Sequence, residues 1–144
     1  MKYLIFALCF IGIILFKKDS EAQQAPCEKY YDKTMRSFVY TSVDEMPEYP
    51  GGYGNFSSFF ATRVKYDTSN SETLQGKVTL VFIVDTLGNV RNAGIYKKLA
   101  KDNSRLEKEY LSVLTKTLKW KPGRCNGKKV PVRFIAPFLI NLQK

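Results

Sequence analysis

The chain contains no histidine and only three cysteines among its 144 residues. Without imidazole, the commonest general base and the commonest zinc ligand are both missing. The serines therefore lack the partner that activates a hydroxyl nucleophile. Cys9, Cys27 and Cys125 show none of the close paired spacings of a structural zinc site. Acidic residues are also few, 13 against 23 lysines and arginines, for a net charge of +10. Glu45 and Glu48 come nearest to a carboxylate pair, but no nucleophile or ligand set stands beside them, so they read as solvated turn charges. We expect no enzymatic activity, no cofactor and no metal. Internal repeats and low-complexity tracts are missing as well, and the one long apolar run, Tyr3 to Phe16, is shorter than the roughly 18 residues of a membrane-spanning helix.

What is present is apolar material: 44% hydrophobic and 14% aromatic residues, enough for the core of one small domain. The positive charge suits contact with acidic segments, anionic polymers or membrane surfaces. Residues 1–22 carry a lysine, the apolar run and then Ser20-Glu21-Ala22, small residues of the kind a signal peptidase reads. This stretch is expected to act as a signal peptide, with a short signal anchor as the alternative. Export from the cytoplasm follows, or anchoring in a membrane with the domain outside it, and either argues against a nucleic-acid partner. In an oxidising compartment Cys27 and Cys125 can close a loop of about a hundred residues. A bridge and two free thiols both fit the sequence.

Residues 23–42 read as a linker or arm: Gln23 to Arg36 is polar and tyrosine-containing without clear periodicity, and Phe38 to Val43 is short and β-prone. The turn-rich segment Met46 to Gly52 contains Pro50, Gly51 and Gly52, whose role is backbone geometry. Phe56, Phe59, Phe60 and Val64 then fall on one stripe, predicting a helix over Tyr53–Val64. After a polar loop over Asp67–Gln75, Val78, Leu80, Phe82 and Val84 alternate in a strand beginning at Gly76, which turns through Asp85–Asn89 and returns over Val90–Tyr96. Ser104 and Glu107 have capping-box spacing. They open a second helix with Leu106, Tyr110, Val113, Leu114, Thr117 and Leu118 on its buried side and Lys116, Lys119 and Lys121 toward its negative end. Pro122 and Gly123 stop it, and Asn126-Gly127 makes a second turn. Trp120 is expected to cap the core.

The last strand carries most of the argument. Val130, Val132, Phe134, Ala136, Phe138, Ile140 and Leu142 recur at every second position and want a core. The alternate face holds Pro131, Arg133, Ile135, Pro137, Leu139 and Asn141. Two prolines, which cannot donate to a ladder, argue for a sheet edge where another strand could add.

Three stretches in this order, MPEYPGG at Met46–Gly52, GKVTLVFIVDTLGNV at Gly76–Val90 and WKPGRCNGKKVPVRF at Trp120–Phe134 followed by Ala136-Pro137, resemble the C-terminal domain of the TonB family of energy transducers. The resemblance implies an α+β domain over residues 43–144, two helices packed on a small three-stranded antiparallel sheet. It also implies that the last strand pairs with an extended segment of an outer-membrane TonB-dependent receptor or other envelope protein. On this chain that strand edge would comprise Val130, Val132, Arg133, Phe134, Ile135, Ala136 and Phe138. The family works with an inner-membrane proton-driven motor, a partner here if the leader is retained. The chain departs from a full transducer in its short apolar run and short linker. The alternative is an exported stand-alone module that forms a homodimer through the same strand.

Overall fold

The computed structural model describes residues 27–66 and 73–143. The expected leader, the start of the arm and most of the polar loop lie outside the described residues. Within them the order is β1 (Lys29–Asp32), β2 (Ser37–Tyr40), α1 (Gly52–Ala61), β3 (Thr73–Val84), β4 (Val90–Ile95), a 3-10 turn (Ala100–Asp102), α2 (Arg105–Leu114), β5 (Arg124–Cys125), β6 (Lys128–Lys129) and β7 (Val132–Gln143).

The backbone of the fold is the antiparallel pair β3–β7, in unbroken register from Thr73 opposite Gln143 to Val84 opposite Val132. Register is pinned because a one-residue slip would turn the apolar set of both strands to the wrong face. Val78, Leu80, Phe82 and Val84 of β3, with Val132, Ala136, Phe138 and Ile140 of β7, are all buried on one side. Phe56 and Phe60 of α1 and Tyr110, Val113 and Leu114 of α2 cover that side in one continuous core.

The fold is α+β, but the three-stranded antiparallel sheet expected from the resemblance is too small. The main sheet has five strands in the order β1-β2-β7-β3-β4. It is mixed, since β2 joins β7 in parallel at Tyr40–Val132. The stretch assigned to a linker or arm accounts for the difference. Lys29 to Asp32 pairs with Ser37 to Tyr40 as a hairpin. Its turn is held by the Asp32 carboxylate, which accepts from the amides of Thr34 and Met35 at 2.9 and 2.8 Å. Val39 is fully buried.

Both helices are shorter than the periodicity suggested. Helix α1 contains two glycines and two serines and is a poor helix by propensity, so it persists only as far as burial of Phe56 and Phe60 supports it. Val64 is buried beyond its end. In α2 the capping box is present: Glu107 N–H donates to Ser104 Oγ at 3.2 Å and Ser104 N–H to Glu107 Oε2 at 2.7 Å. The helix stops at Leu114, with no basic residue in its last turn. Lys116, Lys119 and Lys121 therefore lie past it, and Leu118, expected on the buried side, is exposed. No helix among the described residues is long and apolar enough to cross a membrane.

Candidate functional site

In an antiparallel ladder alternate residues point both backbone groups at the partner strand and the others point both away. Two hydrogen bonds fix the phase for β7. The carbonyl of Pro131, just before the strand, accepts from the Tyr40 amide at 2.9 Å. The carbonyl of Pro137 accepts from the Tyr53 hydroxyl at 2.9 Å. Neither acceptor can be facing β3, so the odd-numbered residues direct their backbone groups to the outer edge. Both prolines thus fall where a missing N–H costs the β3 ladder nothing.

Strand β7 is the middle strand of the five, yet on the β2 side it is covered only at its start, where Tyr40 bridges the backbone on either side of Val132. Beyond the Tyr40–Val132 bridge, the outward groups of Ile135, Leu139 and Asn141 have no backbone partner among the described residues. The sheet edge expected for this strand is corrected by the strand order, which puts β7 between β2 and β3; its outer side is paired only at the start, because β2 ends at Tyr40. This places the expected contact residues in two groups. Val130, Val132, Ala136 and Phe138 are buried and Phe134 packs against the core; within the strand, Val132, Phe134, Ala136 and Phe138 also point their backbone groups at β3, so they present neither side chain nor backbone to the outer edge. Arg133 and Ile135 point to the uncovered face of the sheet. There Ile135 is 42% and Leu139 83% exposed, and the Arg133 guanidinium lies 5.7 Å from the Tyr96 ring centre. Val81 pairs with Ile135, and Thr79 with Pro137, so an apolar strip runs along this face beside the open edge.

The motif residues do not line that edge; they hold its start in place. Backbone bonds pair Glu45 with Arg124 and Glu48 with Lys121 in both directions, at 2.8 to 3.1 Å. The Pro50-Gly51-Gly52 and Pro122-Gly123 motifs therefore belong to two segments zipped against each other. Trp120 closes the space behind them, 4% exposed and in ring contact with Tyr49, Phe56, Phe82 and Phe134. Gly123 is buried, and a Cβ there would fall 2.6 Å from Val132 Cγ2, so this turn presses directly on the first residue of β7. Asn126 and Gly127 both have positive φ and form the two-residue turn joining β5 to β6. The Asn126 amide also donates to the Asp44 carboxylate at 2.5 Å.

Cys27 and Cys125 are disulfide-bonded, with Cα atoms 6.2 Å apart across 98 residues of sequence. Cys125 packs with Val130 and Val132, so the bond ties the chain ahead of β1 to the beginning of β7. Asp44 lies close to both sulfurs, but sulfurs bonded to each other are not thiolate ligands. The perturbed carboxyls belong to turns. Burial pushes Asp85 up, but hydrogen bonds from Asn89, Arg91 and Leu87 outweigh it and hold the group below its ordinary value. Glu107 is lowered in the same way: burial opposes the shift, and Lys98 and Ser104 override it. The Tyr110 phenol is pushed up by burial and by its 2.9 Å hydrogen bond with Tyr66.

Sequence reasoning missed two participants, Tyr40 and Tyr53. The first lay in a stretch too short to reveal its partner. The second carries no signal of its own, because it is an exposed residue in the first turn of α1 whose target lies 84 residues away.

The family model for the Gram-negative bacterial TonB protein C-terminal matches residues 67–141, more than half of the chain. No curated protein and no solved structure matches it. The match spans β3 through β7 and the whole open edge, and on that basis the chain belongs to the TonB C-terminal family.

Proposed function

We propose that this protein is a non-enzymatic periplasmic binding domain that takes an extended segment of an outer-membrane TonB-dependent receptor or transporter as an additional strand on β7. One observation carries it: β7 is paired with β3 along all twelve residues, while on its other side the backbone of Ile135, Leu139 and Asn141 has no partner among the described residues. Main-chain bonds to such an edge give affinity, and side chains beside it give selectivity. The strip of Ile135 and Leu139 would receive alternate apolar side chains of the visitor. The net charge of +10 favours an acidic visitor by long-range attraction. In TonB-dependent transport this contact would pass on work from a proton-driven motor of the inner membrane.

An NMR titration of the isotope-labelled chain with peptides from the plugs of transporters of the same cell tests this. Shifts concentrated at the amides of Ile135, Leu139 and Asn141 are the expected result, and no shift there with any plug peptide would overturn it. Self-association through the same edge is the competing outcome. It would show as a mass that doubles with protein concentration in light scattering, abolished by the same peptides.

A further inference from the structure

The open edge is interrupted at its middle. The Tyr53 hydroxyl caps the Pro137 carbonyl at 2.9 Å, and that carbonyl is one of the outward acceptors an added strand would need. The residue is anchored by α1, where its ring lies 6.0 Å from Phe56, but it is 47% exposed, so displacing the phenol uncovers no core. Pro137 has no N–H, so a visiting strand gains one bond at this position instead of two. The phenol therefore sits where the edge is weakest and competes for the one group on offer.

We propose, building on the strand-addition reading above, that Tyr53 is a displaceable stop on the β7 edge and sets the minimum length of strand the site accepts. With the phenol docked, Ile135 is separated from Leu139 and Asn141. Either part alone offers too few backbone groups to hold a strand. A segment spanning Ile135 to Asn141 gathers the amides on both sides and can displace the phenol, whereas a shorter one cannot. The same cap blunts the edge against pairing with other copies of the chain, the hazard every exposed strand carries.

The test uses the full chain and its Tyr53→Phe variant, which keeps the ring and removes the donor. The probe is a capped peptide of on the order of ten residues, strand length, alternating threonine and valine with two glutamates. A half-length version serves for comparison. Binding is followed at the Ile135, Leu139 and Asn141 amides, and Tyr53→Ala is measured alongside with its melting midpoint, to remove the ring itself. Losing one exposed hydrogen bond as competitor should tighten the long probe by about two- to tenfold. The half-length probe should bind measurably only to the variants. If wild type binds the long probe at these amides and neither variant binds either probe more tightly, the stop is refuted while strand addition stands. If no protein shifts at these amides, both fall.

Discussion

Gly88 offers a direct test of how the β3–β4 turn is locked to the Trp120 motif. Its φ is +83°, and a Cβ built there would lie 2.0 Å from the Trp120 carbonyl oxygen. The Trp120 amide donates to the Gly88 carbonyl at 2.9 Å. Gly52 shares the φ of +83° and Gly127 has +74°, but a Cβ at either meets nothing within 4 Å. Alanine at all three sites thus suffers the same torsional penalty, about 1–2 kcal/mol, and only Gly88→Ala adds a collision. Relieving that collision means moving the Trp120 backbone by about 1 Å. The move breaks a hydrogen bond worth about 0.5–1.5 kcal/mol and strains a packed core side chain for about 1–3 kcal/mol more. Gly88→Ala should therefore lose about 2.5–6.5 kcal/mol, against about 1–2 for Gly52→Ala and Gly127→Ala. Urea unfolding followed by the fluorescence of Trp120, the chain's single tryptophan, measures all three with one probe. Equal losses at the three sites, within about 0.5 kcal/mol, would refute the docking of this turn on Trp120.

Replacing Cys27 and Cys125 together by serine should cost up to about 4.7 kcal/mol, the loop-entropy value for a loop of about a hundred residues; reductant should lower the wild-type midpoint and leave the double variant unmoved. Leu139→Pro should leave stability within about 1 kcal/mol of Leu139→Ala, because that amide faces outward, whereas Phe138→Pro removes a bond to β3 as well as the core ring and should cost about 3 kcal/mol or more beyond Phe138→Ala; similar proline-against-alanine differences at the two sites would show that the phase assigned to β7 is wrong. Because the folded carboxyl of Asp85 is held below its ordinary value of 3.8, its stabilisation is complete above that pH and lost as pH falls through the lower folded value. Asp85→Asn should therefore show a shallower loss of stability than wild type below about pH 4, read from urea midpoints across pH, and parallel curves would contradict the shift.

Much of this was legible because it is periodic or stereochemical. Alternation alone assigned the buried faces of β3 and β7, and the spacing of Ser104 and Glu107 located the start of α2. The prolines at 131 and 137 suggest an edge strand, whereas the structure sets β7 between β2 and β3; both prolines fall on its outer side, which β2 pairs only at its start. What escaped the sequence is held by distant contacts. The hairpin of β1 and β2 has four residues per strand, with Tyr30, Tyr31 and Phe38 exposed, so no apolar alternation announces it. Its place is set by one bridge to Val132 and by the bond from Cys27 to Cys125. The end of α2 was overcalled because Leu118 continues the helical stripe, but the chain must leave the helix after Leu114 to bring Trp120 under the Gly88 turn.

The constraints on β7 are concentrated at one end. The Tyr40 bridge, the pressure of Gly123 on Val132 and the packing of Cys125 with Val130 and Val132 all act at or before the first residue of the strand. From Phe134 onward its only backbone neighbour among the described residues is β3. A strand fixed at its root and paired along a single side keeps its register while leaving the other side available. That arrangement explains why the motif residues gather away from the proposed docking edge: Pro122, Gly123, Asn126 and Gly127 lie where β7 begins, and the alternation begun there decides which amides face outward. A substitution among them would misplace the whole ladder of outward groups at once, whereas one at Ile135 or Leu139 alters a single contact with the visitor. Affinity for extended segments should accordingly be more sensitive to the turn residues than to the residues the visitor touches.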